Sequence, residues 1–288
     1  MIKSMLLATD LSQRSVAALD RALLLAQGAP ERIGFLHVID SDVSIALTYG
    51  EESATPPAMA ELLDARLAPA APRPDILIRR GDPYEAILAA AETRGDELIV
   101  MGLPRPRRFL DRLRGTTLER VIRASTRPVL SVRTPAKRRY GHVMIATDLS
   151  RTSALALTSA RRLGLLDGAR VTVIHAHWSM VPRVVGNGAM TTEDMKRDTA
   201  VERVAALKDL RTFLRGLATD QRQMESLVVM GTPQSALPAA VADLRPDLVV
   251  MGTRGRSGAI RLALGSVAED LMAQISVDVL AVPPAAQD

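Results

Sequence analysis

The 288-residue chain contains no cysteine. Disulfide bonds, thiolate metal sites and cysteine nucleophiles are therefore excluded. Aromatic residues make up only 2% of the sequence, which leaves few side chains to stack on bases, so we do not expect a nucleic-acid-binding protein. No apolar run approaches the ~18 residues of a membrane span, and Asp10 ends the first apolar stretch too early for a secretory signal. These absences favour a cytoplasmic protein with no membrane partner.

The formal net charge of +5 is unevenly distributed. Residues 105–139 contain twelve Lys or Arg residues and two Asp or Glu residues, so this basic segment carries +10 and the rest of the chain −5. A segment of this kind can contact an anionic partner. It can equally form a solvated surface or contacts within the chain.

The sequence repeats itself, and this observation decides the domain organisation. The segment ATDLS occurs twice and places Asp10 and Asp148 138 residues apart. His37 and His175, each at the end of an apolar run, keep the same separation. Three later pairs of motifs are 150 residues apart: Gly81-Asp-Pro83 and Gly231-Thr-Pro233, Met101-Gly102 and Met251-Gly252, and Gly115-Thr116 and Gly265-Ser266. The second copy therefore contains twelve additional residues.

The ordered matches predict two tandem domains, residues 1–135 and 140–288, joined by a basic linker. In each copy, strand signals rich in β-branched residues alternate with helix signals at the spacing of βαβ units. This pattern predicts an α/β fold in which each copy forms a doubly wound, five-stranded parallel sheet with helices on both faces. Ligands bind such sheets at the carboxyl ends of the strands. Both Asp turns and both Gly-rich loops follow strands at that edge.

Each copy ends in an apolar strand that we expect at a sheet edge, PVLSV (128–132) in the first copy and DVLAV (278–282) in the second. Exposed apolar edge strands favour pairing with another strand. We therefore expect the two copies to pack against each other as a pseudo-dimer within the chain. A homodimer of the whole chain is a further option.

The fourth predicted strand of the second copy leads into the loop GTRGRSGAIRLALGS. Gly252 and Gly255 allow a turn with positive φ and a close backbone approach to a ligand. Gly265 and Ser266 then begin a helix, whose free N–H groups and positive dipole end favour a phosphate. Two loop arginines add positive charge. Ordinary turn glycines and a plain N-cap would explain each feature alone, and the spacing repeated in both copies favours the phosphate site.

The spacing G-x-x-G-x9-G-[ST] resembles the nucleotide signature of the ATP-binding universal stress proteins, and the second copy matches it at every fixed position. The resemblance covers both copies and includes the Asp of ATDLS, the His after strand two and the DVL run of strand five. It implies an ATP ligand, with Mg²⁺ as an optional companion, and a regulatory role in the stress response.

The resemblance also implies a role for individual residues of the second copy. Asp148 would contact the ribose, and Ala146 and Ala176 would frame the adenine. Met251 would line the floor of the site, and the Gly-rich loop would surround the phosphates. The implied binding residues are Ala146, Thr147, Asp148, Ala176, Met251, Gly252, Gly255, Arg256, Gly265, Ser266 and Val267.

The first copy departs from this pattern in its loop, GLPRPRRFLDRLRGT. Gly102, Gly115 and Thr116 are retained, but Arg105 replaces the second glycine. A Cβ at that position blocks a close approach of the backbone, and the flanking prolines stiffen the loop. We therefore expect the second copy to be the main nucleotide site. Whether loop arginines attract a nucleotide to the first copy stays open.

The motifs exclude some classes of nucleotide enzyme and leave three functions. No G-x-x-x-x-G-K-[ST] motif occurs, so the chain is not a P-loop protein. No carboxylate pair or histidine accompanies the Gly-rich loop, so we expect no catalytic residues and no metal site. We favour an ATP-binding regulatory module. The alternatives are a slow ATPase or self-phosphorylating enzyme and an interaction scaffold that needs no nucleotide.

Overall fold

A computed structural model describes residues 2–26, 32–40, 45–68, 71–103, 115–178, 192–217, 224–255 and 264–285. The first copy contains the strands β1 Ser4–Thr9, β2 Arg32–Ile39, β3 Asp75–Arg80, β4 Leu98–Gly102 and β5 Val129–Val132. Its helices are α1 Gln13–Leu25, α2 Ile45–Asp64, α3 Pro83–Arg94 and α4 Thr117–Ala124. The second copy contains the strands β6 His142–Thr147, β7 Arg170–His177, β8 Met224–Met230, β9 Leu248–Gly252 and β10 Asp278–Val282. Its helices are α5 Arg151–Arg162, α6 Thr192–Gly216, α7 Pro233–Leu244 and α8 Ser266–Gln274.

All ten strands belong to one sheet, in the order β3-β2-β1-β4-β5-β10-β9-β6-β7-β8. Neighbouring strands are parallel within each copy, whereas β5 and β10 pair antiparallel. The predicted α/β class with five parallel strands per copy is therefore confirmed. The two predicted sheets are joined edge to edge, because the last strand of each copy is the partner of the other.

The central strands β1, β4, β5, β6, β9 and β10 are buried along nearly their whole length because helices cover both faces of the sheet, whereas the outer strands β3 and β8 are partly exposed. Helices α1, α2, α5 and α6 contribute to the core on one face. Helices α3, α4, α7 and α8 contribute to the core on the other face. Each core includes side chains from both copies, so the two copies share their hydrophobic interior. Within the described ranges, no helix is long and apolar enough to cross a membrane.

The pairing of β5 with β10 has the register of a pseudo-twofold axis. Leu130 lies opposite Leu280, its own counterpart 150 residues later, and Ser131 and Val129 lie opposite Val279 and Ala281. The expected pseudo-dimer therefore forms through the strands that we identified as edges. Since these two edges are occupied, a homodimer of the whole chain would need a different surface.

A buried carboxylate holds the seam between the copies. Asp278 is fully buried, and its Oδ1 accepts hydrogen bonds from the backbone N–H groups of Arg133 at 2.8 Å and Thr134 at 3.1 Å. Its Oδ2 accepts a hydrogen bond from Tyr140 Oη at 2.9 Å and lies 3.2 Å from Arg21 Nε. The Arg21 guanidinium also lies over the Tyr140 ring, 4.1 Å from its centre. The second copy is thereby bound to α1 and to the linker.

We expect Asp278→Ala to lower the free energy of unfolding by about 3–5 kcal/mol, because it leaves the Arg21 charge and the Tyr140 hydroxyl buried without their partner. Urea denaturation measures the change. Asp167→Ala, at an exposed position, is the control and should stay within about 0.5 kcal/mol of the wild type. Similar losses in the two variants would contradict the role that we give to Asp278.

Tyr140 makes the stability of the fold depend on pH in the alkaline range. Burial, with the charge of Asp278 adding to it, raises the pKa of Tyr140 well above the usual 10.0. The unfolded chain therefore loses this proton at a lower pH than the folded chain. The stabilisation that the protonated Tyr140 side chain contributes is complete below pH 10 and is lost as the pH rises above 10. Tyr140→Phe should flatten the fall in melting temperature above pH 10, and equal slopes in the variant and the wild type would contradict this assignment.

Candidate functional site

A cleft in the second copy lies at the carboxyl ends of β6, β7 and β9. The first strand of the second copy, β6, lies between β9 and β7, so the strand order reverses beside it. Doubly wound sheets bind ligands at this point of reversal. The cleft is lined by Ala146, Thr147, Asp148, Ala176, Pro233, Leu237, Met251, Gly252, Thr253, Arg254, Gly255, Gly265, Ser266, Val267 and Ala268.

Ten of the eleven binding residues implied by the sequence line this cleft. The remaining one, Arg256, lies outside the described residues, as does Arg105 in the loop of the first copy. The cleft also contains Pro233, Leu237, Thr253 and Ala268, which the nucleotide signature did not indicate, and Arg254, which was expected only as one of the two loop arginines. The repeated Gly-x-Pro motif was a signal for Pro233, because it marks a turn at the carboxyl end of a strand.

The ATDLS sequence builds a tight turn that presents Asp148 to the cleft. Thr147 Oγ1 accepts a hydrogen bond from the backbone N–H of Leu149 at 3.0 Å and lies 2.8 Å from Ser153 Oγ. Asp148 Oδ1 accepts a hydrogen bond from the backbone N–H of Ser150 at 3.0 Å. Leu149 has a φ of 64°, a conformation that is strained for a leucine and typical of functional turns.

The same turn occurs in the first copy. Leu11 has a φ of 57°, and Asp10 Oδ1 accepts a hydrogen bond from the backbone N–H of Ser12 at 3.0 Å. His37 and His175 also have equivalent positions, since each Nδ1 lies within hydrogen-bonding distance of the carbonyl oxygen that ends the first strand of its copy, at 3.0 and 2.9 Å. The backbone hydrogen bonds of the turn are thus the same in both copies, but the serine after the Asp differs. Ser12 Oγ donates to Asp10 Oδ1 at 2.5 Å, whereas Ser150 Oγ caps α5 by accepting a hydrogen bond from the Ser153 N–H at 3.2 Å.

Close approach, not positive φ, is what the loop glycines provide. Glycine allows a positive φ at Gly252 and Gly255, but neither residue adopts one. A Cβ on Gly255 would lie 3.0 Å from Asp148 Oδ2, and one on Gly252 would lie 2.9 Å from Thr152 Cγ2. The Gly-rich loop is thus packed against the Asp turn and the start of α5.

The start of α8 is open toward the cleft. Gly265 is the N-cap, with an ordinary φ of −61°, and its N–H donates to the carbonyl of Thr253 at 2.9 Å. Gly265 has no side chain, so the N-cap residue itself makes no capping hydrogen bond. The first N–H groups of a helix have no partner within it, and they favour an anion together with the helix dipole. Ser266 and Val267 line the cleft beside these donors.

The equivalent helix of the first copy is closed by its own side chains. Thr116 caps α4, and its Oγ1 accepts a hydrogen bond from the Glu119 N–H at 3.2 Å. Glu119 Oε2 accepts a hydrogen bond from the Thr116 N–H at 3.1 Å, which completes a capping box. A carboxylate therefore occupies the start of α4, where an anion would otherwise bind. Gly115 precedes the cap with a φ of 78°, unlike its counterpart Gly265.

Helices α3 and α4 of the first copy are also tied together. Arg120 forms a two-pronged contact with the Asp82 carboxylate, at 3.2 and 3.0 Å, and its guanidinium lies 3.7 Å from the centre of the Tyr84 ring. The residues 150 positions later are Asp270, Thr232 and Gln234. These side chains do not reproduce the contact, so the second copy lacks this bridge between α7 and α8.

The basic segment 105–139 makes contacts within the chain in the part that the structure describes. Arg120 contacts Asp82, and Arg123 Nη2 lies 3.3 Å from Glu269 Oε1. Burial lowers the pKa of Arg133, whose Nη1 donates to the carbonyl of Ile275 at 2.7 Å. Several arginines of this segment thus form contacts between helices and between the two copies.

The described residues around the cleft provide few ionised groups. Asp148 is the carboxylate that lines it, and Arg254 is the described cation. Across the described ranges, no group of three or more histidines and carboxylates could hold a metal ion. The remaining lining is apolar side chains, glycines and hydroxyls.

The two equivalent glycines should respond differently to substitution. Gly115→Ser forces a side chain into the left-handed region and should cost about 1–2 kcal/mol of stability. Gly265→Ser has an ordinary φ and a good capping side chain, so it should change stability by no more than about 0.5 kcal/mol. Urea denaturation of both variants measures the difference. Equal destabilisation would contradict the different starts of α4 and α8.

The comparisons with known proteins agree with the two-copy architecture. The model of the universal stress protein family matches residues 1–133 and 139–283. The chain is 30% identical over 140 residues, 49% of its length and 96% of the relative, to a universal stress protein encoded 3′ of a sulfhydrylase gene in Thermus aquaticus. It is 25% identical over 150 residues, 50% of its length and 97% of the relative, to a universal stress protein of Synechocystis sp..

A solved structure has the same fold over the whole chain. The universal stress protein of Archaeoglobus fulgidus matches with a TM-score of 0.66 and 22% identity, over 99% of this chain and 97% of that one. The tandem arrangement of the two copies is therefore shared with a protein of known structure.

Proposed function

Since the chain belongs to the universal stress protein family, we propose that it is an ATP-binding regulatory module whose second copy holds the nucleotide. One observation carries the proposal: a single cleft combines the Asp148 carboxylate with the uncapped start of α8. A carboxylate accepts hydrogen bonds from a ribose diol, and an open helix start donates them to phosphate. A nucleotide carries both groups in one molecule.

The apolar part of the cleft suits the adenine base. Ala146 and Ala176 are small residues at the ends of β6 and β7, which leaves room for a flat ring between them. Met251 and Leu237 are buried residues that line the same cleft. Apolar walls with a few polar groups are typical of cofactor sites. Asp148, next to Ala146 in the turn, would then lie beside the ribose.

The phosphates would bind at the Gly-rich loop and the start of α8. Gly255 and Ser266 would offer backbone N–H groups, Ser266 would add its hydroxyl, and Arg256 would add positive charge. Gly265, whose N–H donates to the Thr253 carbonyl, would allow the phosphate a close approach to the backbone. Val267 would form the adjacent wall. Mg²⁺ would accompany the nucleotide by binding phosphate oxygens and water, as it does in many phosphate sites.

We infer a binding role in preference to catalysis. Phosphoryl transfer needs a group that orients the attacking water or hydroxyl near the terminal phosphate. Asp148 is the carboxylate that lines the cleft, and the proposal places it at the ribose. A regulatory module would use the nucleotide to select a conformation or a partner. A turnover assay separates this role from a slow ATPase or a self-phosphorylating enzyme.

Mass spectrometry of the small molecules released by denaturing freshly purified protein tests the proposal directly. We expect an adenine nucleotide at about one per chain. Protein that neither carries a nucleotide nor binds added ATP would favour the interaction scaffold instead.

Asp148→Ala should weaken ATP binding about 10- to 100-fold, because a hydrogen bond to a charged acceptor contributes about 1.5–3 kcal/mol. Asp10→Ala is the matched control, since it removes the same carboxylate from the equivalent turn of the first copy. Calorimetric titration with ATP should show little change for this control. If Asp10→Ala abolished binding and Asp148→Ala were silent, the first copy would be the nucleotide site.

A further inference from the structure

Two equivalent glutamates have different partners in the two copies. Glu119 turns back on α4 and completes its capping box. Glu269, 150 residues later, instead reaches across the seam, where its Oε1 lies 3.3 Å from Arg123 Nη2 of the first copy. The same residue type thus closes one helix start and leaves the other open.

The cross-copy contact exists in one direction only. The counterpart of Arg123 in the second copy is Ala273. Helix α8 therefore has no guanidinium at this position that could reach Glu119. The β5–β10 pair relates the two copies by a pseudo-twofold axis, and the difference between Arg123 and Ala273 means that this contact does not follow that symmetry.

The second copy has the residues for the capping box that the first copy forms. Ser266-Val-Ala-Glu269 matches the S-x-x-E pattern, as Thr116-Thr-Leu-Glu119 matches T-x-x-E. In the structure α8 begins one residue earlier, with Gly265 as N-cap. A capping box at Ser266 would place the Glu269 carboxylate on the Ser266 N–H, which is a donor that the proposed function assigns to phosphate. Self-capping and phosphate binding therefore compete.

We propose that Arg123 is a positioning residue for the nucleotide site of the second copy. It holds the Glu269 carboxylate at the seam and so keeps the start of α8 open to phosphate. The inference rests on the proposed function, because the ligand that benefits is the nucleotide. The first copy, whose own helix start is closed, thereby completes the site of its neighbour.

The contact is partly exposed, with side-chain accessibilities of 30% for Arg123 and 48% for Glu269, so its effect should be moderate. Losing it would make the self-capped form a major state. The apparent dissociation constant rises in inverse proportion to the open fraction, which gives about a three- to fivefold weakening of ATP binding if that fraction falls to between a third and a fifth.

The binding experiment is a calorimetric titration of the whole chain with ATP. Arg123→Ala should weaken binding about three- to fivefold, and Arg123→Lys should retain most of the affinity because the charge is kept. Adding Glu269→Ala to Arg123→Ala should restore affinity to within about twofold of the wild type, since the competing carboxylate is gone. Arg123→Ala without effect, or a double variant as weak as the single one, would overturn the proposal.

Glu119→Ala is the matched control. It removes the capping box of the first copy and should lower stability while leaving ATP affinity unchanged. An equal loss of affinity in Glu119→Ala and Arg123→Ala would mean that general damage to the seam, and not the position of Glu269, controls the site, and the proposal would fail.

A second measurement needs no nucleotide. In the nucleotide-free protein, the amide proton of Ser266 should shift downfield in the NMR spectrum of Arg123→Ala, because it gains a hydrogen bond to the Glu269 carboxylate, and should return in the double variant. If this shift occurs but no variant and no wild-type protein binds ATP, the proposed function fails and the positioning role of Arg123 stands. If ATP binds but neither affinity nor the Ser266 resonance responds to Arg123→Ala, the positioning role fails alone.

Discussion

The antiparallel pairing of β5 with β10 is the constraint on which the rest of the structure depends. It converts two five-stranded sheets into one and lets both hydrophobic cores continue across the seam. It removes the two apolar edges that would otherwise invite association with other chains. It also brings Asp278 within reach of the linker and α1 on one face of the sheet, and Glu269 within reach of α4 on the other. A chain with the same strands and no such pairing would have none of these contacts.

The copies keep the same backbone and differ in a few side chains at the helix starts. The ATDLS turns share the hydrogen bonds from the backbone N–H groups to their Thr and Asp side chains, yet the first copy closes the start of α4 with Glu119 and bridges α3 and α4 through Arg120 and Asp82. Each closure satisfies polar groups that would otherwise need a ligand or water. The same architecture therefore has a helix start closed by its own side chains in the first copy and an open cleft in the second.

The sequence was informative wherever a feature depends on local spacing. The repeat predicted the fold and the strand edges, and the matched motif predicted most of the cleft, because strand ends of a parallel sheet must converge. It failed where the outcome depends on distant partners. Gly252 and Gly255 pack closely without positive φ, Ser266-Val-Ala-Glu269 does not form its capping box, and Asp278 stands where the first copy has Pro128. Each of these depends on side chains more than a hundred residues away or on packing between elements.

The open start of α8 and the seam are linked thermodynamically if the Arg123–Glu269 contact selects the open state. A ligand that binds only the open state must then stabilise that contact by the same free energy with which the contact favours the ligand. The nucleotide would tighten the seam on the α4–α8 face, while Asp278 fixes the opposite face independently of the ligand. The contact on the α4–α8 face would then respond to the ligand, while the Asp278 contacts on the opposite face would keep the two copies together. A signal that begins at the phosphates of the second copy would in this way reach the surface of the first.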